Sequence, residues 1–167
     1  LDKQTMYHDT IEHFAELAKN KVTTLSNNPL AFFIGALMAG AYVGIGIILI
    51  FSVGGGLEPA WQKLVMGASF GIALTLVVFA GSELFTGHTM YMVFGKLKGL
   101  TGWGDLAKVW AMAWIFNLLG SVGLALLFAL GGGGSLLHDG SALLFEIADY
   151  KMNSSILALI ARATLCN

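Results

Sequence analysis

Apolar residues along the chain gather into long unbroken runs separated by short polar breaks, and this pattern predicts helices of membrane-spanning length. Leu30 to Val53 is uncharged throughout. As a helix it rises ~36 Å, enough to cross a hydrocarbon core of ~30 Å. Leu106 to Leu130 forms another apolar run with Lys108 at its edge, and from Ser154 a further one begins that holds Arg162 and reaches Asn167. Ahead of the first run, Ile11, Phe14, Ala18, Val22 and Leu25 recur at spacings of three and four, so residues 5–25 are expected to form an amphipathic helix. Such a helix lies on a membrane surface or docks on a bundle. Ser26 to Pro29 supplies a break and a new helix start.

The segment between Lys63 and Lys96 is too long for one straight crossing. Its 32 residues contain a single charge, Glu83. A continuous helix would run ~48 Å against ~30 Å of hydrocarbon. At its middle, Gly81-Ser82-Glu83-Leu84-Phe85-Thr86-Gly87-His88 gathers two glycines, a carboxylate, hydroxyls and an imidazole. The expected structure is a half-helix from about Trp61 to Ala80, an irregular loop, and a second half-helix from about Thr89 to Lys96. Irregular backbone at membrane depth survives only when buried in protein or lining a cavity. The expected fold class is therefore all-α transmembrane: a helical bundle with a broken middle helix. The chain is expected to be a single membrane domain, 1–167, with an N-terminal helix over 1–28, spans at 30–53, 61–96 (broken) and 106–130, and the start of a fourth span at 154–167.

Small residues recur where helices would meet. Ala36, Gly40 and Gly44 are four apart, as are Ala113, Asn117, Ser121 and Ala125, each set giving a stripe for close approach. Composition agrees: 56% of residues are hydrophobic, 11% are charged and 22 are glycine. Soluble domains carry about 25% charged residues. Nine Lys+Arg against ten Asp+Glu leave no basic footprint, so no nucleic-acid partner is expected. The single Cys excludes an internal disulfide. His8, His13, His88 and His138 are scattered, so no metal site and no cofactor are expected. The first 28 residues hold no uninterrupted apolar core, so no cleavable signal is expected. Because the chain starts at Leu1 and stops at Asn167 inside an apolar run, it is expected to be a piece of a longer protein. Lys3, Lys19 and Lys21, with Lys96, Lys98 and Lys108, put the N-terminus and the 96–108 loop in the cytoplasm, and the stretch holding Asp139, Glu146 and Asp149 outside.

The 81–88 loop is the candidate site. The start of the second half-helix, Thr86 to Met90, turns N–H groups and positive partial charge toward an anion. The Thr86 hydroxyl can donate to an anion's oxygen. Leu84 and Phe85 beside it suit a dry collar for small solutes. Glu83 would repel an anion, so it is expected to face away and hydrogen-bond loop N–H groups. His88 is read as a satisfied structural group, and with Gly81, Gly87 and Glu83 as loop scaffold. The plainer reading of the whole loop is a kinked structural helix. Phe70 and Leu74, four apart on one face, are either ordinary packing or a second apolar constriction. Arg162 needs a partner or a water-lined place if it lies in a span, and there a fixed charge would gather anions. If the run is no span, Arg162 is simply exposed.

Gly40-Ala-Tyr-Val-Gly44, Met66-Gly-Ala-Ser-Phe-Gly71, Gly81 to Met90, and Arg162-Ala-Thr-Leu-Cys-Asn167 together resemble the formate–nitrite transporter family, in wording closest to its nitrite-channel branch. The likeness runs from about Asn28 to the end and covers roughly the first 60% of the family's length. The resemblance implies six spans in two inverted three-helix repeats with broken middle helices, so that this chain is one half of an inverted-repeat channel fold of aquaporin-like architecture, a pentamer with one pore per protomer, and no enzymatic activity. It places Leu84 and Phe85 at the inner constriction and Phe70 and Leu74 on the pore wall toward the outer one. Thr86 matches the threonine that hydrogen-bonds the family's central histidine, and Arg162 matches the lysine that attracts anions. Arg keeps that charge but does not deprotonate. The central histidine belongs to the second repeat, and none of the four histidines here takes its role. The function implied is a channel for small monovalent anions across the bacterial inner membrane, nitrite first and formate second, with the lipid bilayer and a homopentamer as its surroundings. Two alternatives stand beside it. One is a neutral-solute aquaporin-like channel, although neither Pro29 nor Pro59 lies in an Asn-Pro-Ala triplet. The other is a non-transporting scaffold subunit.

Overall fold

Asn28 is the only residue between the first two helices. Helix α1 runs Lys3–Asn27 and α2 runs Pro29–Gly54. The Asn28 side chain accepts from the Ala31 N–H at 3.2 Å, an N-cap, and Pro29 takes the first helical position, where a missing N–H costs nothing. The computed structural model describes residues 3–138 and 141–166. Asp139 of the acidic connection and Asn167 at the end of the family-like run lie outside the described residues. The remaining helices are α3 (Pro59–Ser69), α4 (Gly71–Phe79), α5 (Phe85–Leu97), α6 (Trp103–Leu130), α7 (Ser141–Met152) and α8 (Ile156–Cys166), with a short 3-10 turn at Gly134–Leu137. Among the described residues there is no strand. Pro29–Gly54, Pro59–Phe79 and Trp103–Leu130 are long and apolar enough to cross a membrane.

The middle segment is interrupted where the length excess requires. Helix α4 ends in a Schellman motif: the Ser82 N–H bonds the Val77 carbonyl at 3.0 Å and the Gly81 N–H bonds that of Val78 at 3.1 Å. Gly81 has φ +62°, the left-handed conformation that favours glycine. The irregular stretch is shorter than the expected 81–88. Helix α5 already begins at Phe85, so Thr86, Gly87 and His88 are helical. The expected first half-helix is also divided, at Phe70. There φ −64° and ψ −19° keep the backbone in the helical region, and the Ala73 N–H bonds the Phe70 carbonyl three residues back. This is one tightened turn with glycine, a poor helix former, immediately after it. Most of the polar connection after α6 is helix α7.

The residues fall into two compact units: 1–43 with 76–123, and 44–75 with 124–167. In the first unit, Ala18, Leu25, Phe32, Met92, Leu106, Val109 and Ala113 form the buried core. Here α1 docks on α5 by its apolar face. Phe14 stacks on Tyr91 and Phe94 at centroid distances of 5.5 and 5.9 Å. Helices α2 and α6 meet through the small-residue stripes. A Cβ at Gly40 would fall onto the Asn117 carbonyl oxygen, and one at Gly120 onto that of Leu37. The Ser121 hydroxyl bonds the Gly40 carbonyl at 3.0 Å. In the second unit, Gly44 faces Leu124, and Gly46 faces Ala73 and the Phe70 ring.

Backbone atoms cannot swing aside as a side chain does. Gly120→Ala is therefore expected to lower stability by about 1–3 kcal/mol, the usual cost of overpacking. Gly123→Ala, at a position where a Cβ meets nothing within 4 Å, serves as the control. Thermal unfolding of the two variants checks this: equal midpoints would refute the close α2–α6 contact.

Candidate functional site

The loop between α4 and α5 is held from outside itself. Leu84 is extended (φ −88°, ψ 129°) and offers no side-chain cap to α5. The cap comes from α6, where Asn117 Oδ1 accepts from the Phe85 N–H at 2.9 Å. Asn117 Nδ2 donates to the carbonyls of Glu83 (2.9 Å) and Ala36 (2.8 Å). One amide thus ties the loop's exit, its middle and α2 together, with both amide hydrogens and the oxygen in use. The Glu83 N–H adds a bond to the Gly35 carbonyl at 3.2 Å.

Beside this clamp lies an open recess of about 240 Å³, lined by Leu84, Phe85 and Thr86 with Gly40, Val43, Trp114, Asn117, Leu118 and Ser121. Its polar groups are mostly committed. Asn117 is used as above, and Ser121 bonds the carbonyls of Gly40 and Asn117. In the first turn of α5, the Phe85 N–H goes to Asn117, while the N–H groups of Gly87 and His88 go to the Leu84 carbonyl. Thr86 is different. It is exposed, and neither its N–H nor its hydroxyl donates to a partner among the described residues. The expectation of several free N–H groups from Thr86 to Met90 thus narrows to one residue. That residue carries two donors at the positive end of a helix, on a recess it lines with Leu84 and Phe85.

Glu83 does not bond loop N–H groups as expected. Its side chain is 9% exposed, and Oε1 accepts from Lys21 Nζ of α1 at 2.8 Å. Oε2 lies 3.1 Å from His88 Nε2, but the two are misaligned for a hydrogen bond. His88 is 2% exposed and stacks on Phe32 at 5.7 Å. Neither of its ring nitrogens has a hydrogen-bond partner, so the expectation of a satisfied histidine meets a buried imidazole held by stacking. Its backbone carbonyl accepts from Trp110 Nε1 at 3.0 Å. Gly87 sits in α5 against the Tyr91 ring.

Phe70, Leu74 and Arg162 belong to the second unit. Phe70 is half-buried against Gly46, whereas Leu74 is 54% exposed. Arg162 is exposed and has two neutral partners: Nη1 donates to Ser154 Oγ at 2.9 Å and Nη2 to the Tyr150 hydroxyl at 2.6 Å. Among the described residues no cluster of three His, Cys, Asp or Glu could hold a metal ion. Sequence reasoning missed two members of the site. Asn117 was visible only as a polar member of a small-residue stripe, and Lys21 only as a charge on the polar face of α1.

Comparison with known proteins places this arrangement. The sequence model of the formate/nitrite transporter family matches residues 8–167. The chain is 46% identical over 162 residues to the nitrite transporter NirC of Escherichia coli (strain K12), covering 97% of this chain and 60% of that protein. It is 31% identical over 146 residues to the formate channel FocA of the same organism, covering 85% and 51%. A solved structure of an FNT family ion channel superposes with a TM-score of 0.84 at 47% identity, over 89% of this chain and 59% of that one. The chain spans 60% of the length of the nitrite transporter it matches.

Proposed function

The chain belongs to the formate/nitrite transporter family, and from that premise we propose that it contributes a pore to a channel for small monovalent anions, nitrite first and formate second. The observation that carries the reading is Thr86, with two uncommitted donors at a helix N-terminus on the recess it lines with Leu84 and Phe85. An anion that has shed water at the apolar collar finds there the hydrogen bonds it gave up. Leu84 and Phe85 act as the inner sieve, and Phe70 and Leu74 line the way to the outer one. Arg162 raises the local anion concentration, and Gly81, Glu83, Gly87 and His88 shape the loop. The channel lies in the bacterial inner membrane as a homopentamer. Residues 1–167 form one membrane domain, with α1 on the cytoplasmic side by the placement of its lysines.

Thr86→Val keeps the side-chain shape and removes the hydroxyl. In the full-length protein it is expected to lower nitrite uptake into proteoliposomes about tenfold, the rate equivalent of ~1.4 kcal/mol for one lost hydrogen bond. Assembly should be unchanged, because that hydroxyl bonds no described residue. Unchanged uptake at equal protein density would remove Thr86 from the site.

A further inference from the structure

We infer that the corner between α5 and α6, from Lys96 to Trp103, is a docking surface for anionic phospholipid in the leaflet on the α1 side of the protein. The backbone of this corner is complete in itself. Helix α5 ends in a Schellman motif, in which the Leu100 N–H bonds the Gly95 carbonyl at 2.9 Å and the Gly99 N–H bonds that of Lys96 at 3.1 Å. Gly99 has φ +74°, the left-handed conformation that this motif requires. One side of the corner is covered by α1, where Ala18 faces Gly95 and Lys98 Nζ lies 3.7 Å from Glu12 Oε1. What stays open is a mixture of apolar surface and charge. Leu97 is 77% exposed and Trp103 69%. Lys96 Nζ lies 5.4 Å from the centre of the Trp103 ring.

Neither water nor hydrocarbon alone suits this mixture. In water the two large apolar side chains gain nothing from exposure, and in hydrocarbon a lysine is costly. Both fit the membrane–water boundary, where Trp takes the headgroup level and Lys extends its ammonium toward the phosphates. The position agrees, because α6 is long and apolar enough to cross a membrane and Trp103 is its first residue. Charge then selects the lipid. Asp105, nearby in the sequence, turns Oδ2 to the Gly102 N–H at 2.8 Å, and no carboxylate pairs with Lys96 among the described residues. The Trp103 ring holds the ammonium without cancelling its charge. The Trp103 indole N–H has no partner among the described residues either. An ammonium and an indole N–H, both donors only, thus stand beside an apolar shelf. That set matches a phosphodiester with its acyl chains. A net-negative headgroup keeps the full attraction, a zwitterionic one brings its own cation, and a free phosphate leaves Leu97 uncovered.

The test is thermal unfolding of the full-length protein in mixed micelles of a neutral detergent with phosphatidylglycerol, or with phosphatidylcholine at the same mole fraction. Phosphatidylglycerol is expected to raise the midpoint above the phosphatidylcholine value by about 2–4 °C. Lys96→Gln should lose most of that difference, and Lys96→Arg should keep it. Lys19→Gln, which removes the same charge from an exposed pair with Glu16 on α1, should also keep it. Each variant is compared with itself in two lipids, so a general loss of stability cancels. Inorganic phosphate added to the phosphatidylcholine micelles should give no shift. Equal midpoints in the two lipids, an undiminished difference in Lys96→Gln, or an equal loss in Lys19→Gln would overturn the inference. So would a shift with inorganic phosphate as large as that with phosphatidylglycerol, which would assign the corner to a free anion. None of these outcomes touches the anion-transport reading, because none measures nitrite.

Discussion

In the full-length protein, Asn117→Leu is expected to abolish nitrite uptake and to lower thermal stability sharply. Leucine has a similar volume but no polar atom. It strands the Phe85 N–H and the carbonyls of Glu83 and Ala36, which now bond the Asn117 amide at 2.8–2.9 Å. Each buried group left without a partner costs about 1–3 kcal/mol, and three are lost together. Toward α1 and α2 the loop then keeps the Glu83–Gly35 backbone bond and the Lys21 contact. Asn117→Asp separates geometry from polarity. It keeps an acceptor for Phe85 but turns an oxygen toward two carbonyls, so it is expected to fail nearly as badly. Nitrite uptake and thermal unfolding of both variants check the point. Wild-type behaviour of Asn117→Leu would mean that the loop is held by something else.

Arg162 carries the second large effect. Its guanidinium bonds two hydroxyls, Ser154 and Tyr150, and stacks 4.8 Å from the Tyr150 ring centre. Both partners are neutral, so the charge is oriented without being cancelled. In the full-length protein, Arg162→Met is expected to lose most nitrite uptake at low substrate and less at saturation. Apolar Met inserts in a bilayer at least as well as Arg, so poor insertion would not explain the loss. Arg162→Lys should retain most uptake if the charge alone matters. A site that needs the planar fork of the guanidinium on both hydroxyls would fail with Lys as well. Full uptake by the Met variant across the concentration series would mean that the charge has no part in permeation.

The helices and the break were legible because their signals are local. Apolar runs bounded by polar residues mark spans, and an overlong run with Gly81 in its middle marks an interruption that a left-handed glycine then makes. The limits of the break were not legible. Helix α5 starts at Phe85 because its first N–H is capped by Asn117, 32 residues further on, and a search for nearby capping residues cannot find such a partner. For the same reason the partner of Glu83 was sought in its own loop and lay on α1. The division at Phe70 leaves no sequence mark beyond Gly71, since its backbone angles remain helical. Thr86 was singled out for its chemistry. Only the structure shows that its neighbours' donors are already spent, which sharpens the candidate site from a helix end to one residue.

The most direct measurement is the relative uptake of nitrite and glycerol by proteoliposomes of the wild-type full-length protein. With a collar of Leu84 and Phe85 and paired donors on Thr86, nitrite should enter well above the rate of empty liposomes, and glycerol should not. Glycerol entering through the protein while nitrite stays at the background rate would contradict the account and favour a neutral-solute channel.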